Sequence, residues 1–222
     1  MTLIFDYDGT LHDTAAPYGV AVREAAAWLT EQGCPSEREL TDAALSRYLG
    51  MTAPEMWTDF MPGLDEGVRQ EASAMIGRSM IRQVLGRQSR LYPGIPEALD
   101  ALRQSGHRLL ILSNCARSYM DAQREAFGLD RWFSGYFCAG DYGFRPKEEV
   151  FSILREAFPD SAYCMIGDRA SDLRVATVHA LPSVGCAYGF GNDGELAEAK
   201  VRVRAPAELP AAVAALEAEG TR

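Results

Sequence analysis

The chain has 222 residues, 47% hydrophobic and 24% charged, which is enough apolar material for a substantial core and is ordinary for a soluble globular protein. Its net charge of −9 argues against nucleic acid or an anionic membrane as the main partner. It does not exclude an anionic small molecule, because a metal and a few local cations can reverse the field inside one pocket.

Neither a basic, apolar leader nor a bilayer-length apolar run is present, so a cytoplasmic protein is expected. Five scattered cysteines (Cys34, Cys115, Cys138, Cys164 and Cys186), without CxxC or metal spacing, fit reduced thiols. Cys115 follows a predicted site strand, but core filling is its favoured role.

In chain order, the apolar, β-prone run Thr2 to Phe5 ends abruptly in Asp6-Tyr7-Asp8-Gly9-Thr10-Leu11. Alternation along a strand lets Asp6 and Asp8 share one direction at its carboxyl end. Two like charges this close need a proton or a cation between them, and hard oxygen ligands suit magnesium. A strand-free stretch follows. Ala16 to Gln32 is a predicted helix stopped by Gly33-Cys34-Pro35. Ser36, with Glu39 at capping-box spacing, predicts a helix through Leu49. A short helix is expected near Pro54 to Phe60 and a long one from about Leu64 to Leu85, where Val68, Ala72, Ile76, Met80 and Val84 recur near helical spacing.

From Leu91 the texture changes. A helix to about Ser105 leads into a strand over Arg108 to Leu112. A helix over Arg117 to Phe127, a short strand at Gly135 to Cys138 and a helix from Lys147 follow. Then come a strand at Tyr163 to Ile166, a helix at Ser171 to His179, strands at Ser183 to Ala187 and Val201 to Val203, and a helix from about Pro206 to Glu217. Near-continuous apolar strands alternating with helices imply an α/β fold, a doubly wound parallel sheet covered on both faces, with ligands at the carboxyl ends of the strands. The expected organisation is a core of residues 1–14 and 89–222, with residues 15–88 as an all-helical insertion.

Four strand ends or helix starts carry chemistry: Asp6 and Asp8; Ser113 with Asn114; Lys147; and Gly167-Asp168-Arg169-Ala170-Ser171-Asp172. Taken singly, each has an ordinary structural explanation as a turn, a cap or a solvated helix start. In series they supply carboxylates, a hydroxyl, an ammonium and further carboxylates. Lysine occurs only at positions 147 and 200 in a chain with 20 arginines, and a helix-start lysine opposes the dipole, which favours a functional role for Lys147. Arg145-Pro146 is the alternative cation by register.

The run Asp6-Tyr7-Asp8-Gly9-Thr10-Leu11-His12-Asp13-Thr14 resembles the DxDGTLxDS/T motif of haloacid dehalogenase-like hydrolases. Ser113, Lys147 and Asp168/Asp172 resemble the later motifs of that family in the right order. Val184 to Gly191 is similar to the tail of phosphoglycolate-phosphatase-like members, and an insertion directly after the first motif is that of the C1 cap class. The resemblance implies a Rossmann-like core with a helical cap. It also implies a Mg2+-dependent phosphatase of small phosphorylated metabolites that works through an aspartyl-phosphate.

On the same ground Asp6 is the nucleophile and Asp8 the general acid and base. Ser113, Asn114 and Lys147 bind phosphate. Asp6, Asp8 (through its main-chain carbonyl), Asp168 and Asp172 hold the metal. Arg47, Tyr48 and Trp57, near the bend at Gly50, are candidate specificity residues, with cap packing as the alternative, and His12 contacts a substrate or simply varies. A phosphosugar mutase on the same core, or a phospho-acceptor or binding protein without turnover, are the competing readings.

Overall fold

In the computed structural model, which describes residues 1–160 and 162–220, a first strand is followed by five α-helices, after which five strands and four α-helices largely alternate. The order is β1 (Thr2–Phe5), α1 (Ala15–Glu31), α2 (Asp42–Leu45), α3 (Ala53–Phe60), α4 (Glu66–Leu85), α5 (Ile95–Gln104), β2 (Arg108–Ser113), α6 (Arg117–Phe127) and β3 (Phe133–Cys138). It continues with α7 (Lys147–Ala157), β4 (Tyr163–Gly167), α8 (Ala170–His179), β5 (Ser183–Cys186), β6 (Val201–Val203) and α9 (Leu209–Gly220). All strands are parallel, in the order β3-β2-β1-β4-β5-β6. The chain therefore starts in the middle of the sheet and winds outward in both directions, a doubly wound, Rossmann-like α/β arrangement.

Alternation along the strands divides the core. Leu3 and Phe5 of β1, Leu109 and Ile111 of β2, and Cys164 and Ile166 of β4 face one layer of helices. Ile4, Leu110, Leu112 and Met165 face the other, against Val150, Phe151 and Leu154 of α7 and Val175 of α8. Both faces are covered, which is why these strands are apolar on both faces through their middles. The first layer continues without a break into α1, α3 and α4 through Val22, Leu29, Trp57 and Ile76. Helices α1, α3 and α4 are thus packed on the sheet side that carries α5 and α6.

One expected element is different. Ser36 starts no helix: its Oγ accepts the Arg38 N–H in a local turn. The helix begins instead at α2, where Thr41 is extended (ψ 154°) and its hydroxyl accepts the Ala44 N–H. Glu39 is then spent on the Thr41 hydroxyl. The reciprocal capping box lies one helix later, between Thr52 and Glu55 at the start of α3. Ser-x-x-Glu spacing is satisfied by many turns, and the side chain caps only where the backbone already enters a helix. All five cysteines are free thiols. Among the described residues no helix is long and apolar enough to cross a membrane.

Candidate active site

Parallel register sets the site. Phe5 is level with Ile111 of β2 and Ile166 of β4, so the three strands end together, delivering Asp6, Ser113 and Asp168 to one crevice. This is where strand order reverses direction, the position at which open α/β sheets bind ligands. Lys147 arrives from the first residue of α7, and Asp172 from the first turn of α8.

The Lys147 ammonium donates to Asp6 Oδ1 and to Asp172 Oδ1, both at 2.6 Å. Arg145 is exposed, so of the two candidate cations Lys147 occupies the crevice. Asp6, Asp168 and Asp172 each bring a carboxylate oxygen within 4.8 Å of the others, and all three are buried. The Asp8 side chain does not join them. Its Oδ1 accepts from the Thr14 hydroxyl at 2.7 Å and the Tyr119 hydroxyl at 2.9 Å, so any role of Asp8 at a metal falls to its main chain.

With one ammonium among three carboxylates, the fully ionised cluster would carry two negative charges in excess. Burial first, then the neighbouring Asp172, raises the Asp6 pKa well above the usual range against the pull of Lys147. Burial and Asp172 likewise push Asp168 up to about 7. At Lys147, burial opposes the charge, but Asp172 and Asp6 outweigh it and raise the pKa, so the ammonium stays protonated. Asp6 Oδ2 is buried with no hydrogen-bond partner. An orphaned carboxylate oxygen, an all-oxygen donor set and the excess charge of the ionised cluster fit a hard divalent cation such as Mg2+.

A pH dependence follows from these shifts. A carboxylic acid whose folded-state pKa is raised contributes stability that is complete below its unfolded value and is lost as pH climbs through the folded one. For Asp168 that window runs from the ordinary carboxylate range up to about 7. The denaturant midpoint of EDTA-treated protein should therefore fall away from that of Mg2+-loaded protein between about pH 4 and about pH 8. A constant gap between the two across that range contradicts this account of the cluster.

Asp168 is held by its surroundings. Its Oδ1 accepts from the Thr10 hydroxyl and its Oδ2 from the Phe190 N–H at 2.7 Å. Gly9, with φ +91°, and Gly191 press directly on it: a Cβ on Gly9 would meet the Asp168 carboxylate, and one on Gly191 would collide with the Asp168 carbonyl oxygen. That close approach explains the glycines of both the opening motif and the Gly189-Phe190-Gly191 loop. Asp172 spends Oδ1 on Lys147 and Oδ2 on the Arg169 N–H, so it is ion-pair partner and helix cap together.

Ser113 is buried at the tip of β2 and accepts the Cys115 N–H. The Asn114 amide donates to the Gly50 carbonyl at 2.8 Å, which ties the bend at Gly50 to the tip of β2, and Asn114 also lines the hollow beside Asp6 and Ser113. Arg169 grips the same bend through the Leu49 carbonyl while pairing with Glu195. His12 is fully buried, stacked on Tyr7 at 5.5 Å, with Nδ1 2.8 Å from the Thr14 hydroxyl. It backs Thr14, which backs Asp8, and is not positioned to touch a substrate. Arg47 is exposed and paired with Asp59, whereas Tyr48 and Trp57 are buried and line a cavity that opens at Asp8. Cys115 borders the crevice, but a hydrogen bond to Cys138 and burial push its thiol well up, which disfavours the thiolate.

Tyr119, Thr14, Thr10 and Arg169 escaped sequence reasoning as site residues. Thr10 and Thr14 lay inside the opening motif and Arg169 inside the Gly167 to Asp172 run, but nothing local marked Tyr119, and the partners of Arg169 and Tyr119 are distant in the chain. Burial and the Asp8 carboxylate push the Tyr119 phenol far above its ordinary value, which keeps it a donor to Asp8.

Comparison with known proteins adds the context. The model of the haloacid dehalogenase-like hydrolases matches residues 1–178. A phosphoglycolate phosphatase from Agrobacterium fabrum is 29% identical over 197 residues, covering 84% of this chain and 80% of its own. A 5′-nucleotidase from Pseudomonas aeruginosa is 31% identical over 219 residues, covering 96% and 92%. The crystal structure of a protein from Clostridium acetobutylicum described as a predicted phosphatase superposes with a TM-score of 0.83 at 25% identity, over 96% of this chain and 98% of that one. Since the match spans both the opening acid pair and the β4 acid cluster that the fold brings together, the chain belongs to the haloacid dehalogenase-like hydrolases.

Proposed function

We propose that this hydrolase is a Mg2+-dependent phosphatase of small phosphomonoesters in the cytoplasm, working through an aspartyl-phosphate on Asp6, with residues 15–88 as its cap. The observation that carries the reading is the pairing of Asp6 with Lys147 at 2.6 Å beside a hollow of about 60 Å³, lined by Asp6, Asp8 and Ser113.

Asp6, Asp168, Asp172 and the Asp8 main-chain carbonyl would hold the ion. When bound, it supplies positive charge that offsets the phosphoryl oxygens. Lys147 keeps one Asp6 oxygen anionic and oriented, and its ammonium neutralises phosphoryl charge from the protein side. Asp6 attacks phosphorus in line, forming its O–P bond as the bond to the leaving alcohol oxygen breaks. Asp8 hands its proton to that oxygen, then takes one from the water that attacks phosphorus and frees Asp6.

Thr14 and Tyr119 both donate to Asp8 Oδ1, so the transferable proton sits on Oδ2. The Ser113 hydroxyl donates to a phosphoryl oxygen. The Asn114 and Arg169 contacts to the Gly50 bend hold the cap over the site and exclude bulk water. Names among the relatives, a phosphatase and a nucleotidase, support hydrolysis over return of the phosphoryl group to a substrate.

The test is turnover of p-nitrophenyl phosphate. Activity should require Mg2+ and vanish with EDTA, and rapid quenching should recover a phosphoryl group on the peptide containing Asp6. Full activity in EDTA, or label on another residue, rules the proposal out.

A further inference from the structure

Beside the phosphoryl-sized hollow lies a second cavity of about 520 Å³, between the sheet tips and α3 and α4. The two share Asp8, Gly50, Met51, Asn114 and Cys115, so they form one continuous space that narrows at Asp8. Tyr18, Tyr48, Trp57, Ile76, Met80 and Tyr119 are among its walls. Its size falls within the roughly 300–1,000 Å³ of ordinary small-molecule sites.

Among the described residues the only cationic side chain lining it is Arg78, whose side chain is 60% exposed and which is paired with Glu71 at 2.7 Å. A third opening, of about 610 Å³, is lined by four basic residues, among them Lys147 and Arg169, and by four acidic ones, among them Glu55 and Glu195, but by neither Asp6 nor Asp8. A leaving alcohol protonated by Asp8 must lie against Asp8, and so enters the apolar cavity and not the charged one.

Resting on the phosphatase reading, the geometry points to a substrate class: monophosphates whose alcohol half carries an uncharged aromatic ring system of nucleoside size. The ring is held among Tyr48, Trp57 and Tyr119 through apolar contact and aromatic stacking. Polar ring edges find the Ser73 hydroxyl, which accepts from Trp57 Nε1 and keeps its own proton free to donate. A small substrate with a second anion, such as phosphoglycolate, leaves most of this space unfilled and places its carboxylate where no unpaired cation waits among the described residues. Burial of the ring also supplies remote binding energy that a compact alcohol lacks.

The test compares kcat/KM for nucleoside 5′-monophosphates, ribose 5-phosphate and 2-phosphoglycolate at saturating Mg2+. The first two share the same phosphoester and differ by the base alone. The nucleotides should exceed both others by at least about tenfold. Gly77, on α4, faces the cavity, and a Cβ there meets nothing within 4 Å. A side chain at position 77 therefore starts into open space at the cavity wall, so Gly77→Phe should intrude on the cavity, and a native-like circular dichroism spectrum and melting temperature establish that the variant folds. In that variant the nucleotide advantage over ribose 5-phosphate should collapse, by about tenfold or more.

Equal or better turnover of ribose 5-phosphate or phosphoglycolate, or an unchanged ratio in a folded Gly77→Phe enzyme, overturns the substrate class and leaves the phosphatase reading standing. Absence of turnover on every phosphomonoester, p-nitrophenyl phosphate included, overturns both.

Discussion

Asp6→Asn should abolish turnover, by on the order of 10⁴-fold, while leaving the metal-free protein as stable as before or more so. The two effects have one cause. The replacing amide is nearly isosteric and keeps a carbonyl oxygen for the Lys147 ammonium, but it is a poor nucleophile and cannot form the phosphoryl ester of a carboxylate. Removing one of three buried carboxylates also relieves like-charge repulsion, which contributes to the raised pKa of Asp6 and of Asp168 alongside burial. Lys147 retains Asp172 as its partner at 2.6 Å. Thermal melts in EDTA should give an equal or higher midpoint for the variant, and the rise that Mg2+ gives the native enzyme should shrink or disappear. Retention of more than about a tenth of native turnover would remove Asp6 from the nucleophile's role.

Lys147→Met should have the opposite effect on stability and a similar effect on activity. The ammonium is the one cation within hydrogen-bonding reach of Asp6 and Asp172 among the described residues, and it is buried with them. Breaking a buried ion pair by removing one partner costs about 3–5 kcal/mol, because the remaining charges lose compensation. For a chain of this size that corresponds to a fall in melting temperature of roughly 6–20 °C. Mg2+ should restore part of the loss, since it supplies positive charge to the same oxygens. Adding Asp6→Asn to Lys147→Met should recover further stability, and the non-additivity measures the coupling. A melting temperature within about 2 °C of native in EDTA would mean the carboxylates are compensated by other means.

How far the sequence reached differs by residue, for identifiable reasons. The central strands β1, β2 and β4 were legible because both faces of a parallel sheet are buried there, so each carries a near-continuous apolar run that ends in a polar cluster, whereas the edge strands β3 and β6 contain Ser134 and Arg202. Asp6, Ser113, Lys147, Asp168 and Asp172 were legible because each sits at or beside the end of such a run or at a helix start, and a parallel sheet places all such ends on one edge. Ser36 misled because a capping side chain acts only where the backbone already turns into a helix, and here that happens at Thr41. Asn114 was placed correctly on the strand tip, but its partner, the Gly50 carbonyl, lies 64 residues away in the chain.

The sequence by itself determined the layer order, the helical insertion after β1 and the set of groups delivered to the crevice, because these depend on local periodicity and on the winding rule for parallel strands. Only the tertiary structure decided which oxygen each group presents. It turned the Asp8 carboxylate away from the acid cluster and onto Thr14 and Tyr119, buried His12 behind them, and closed a cavity with Trp57 and Tyr48 beside Asp8. Those outcomes depend on side-chain directions and on contacts between residues distant in the chain, which are set when the helical insertion packs onto the sheet and leave no mark in local spacing.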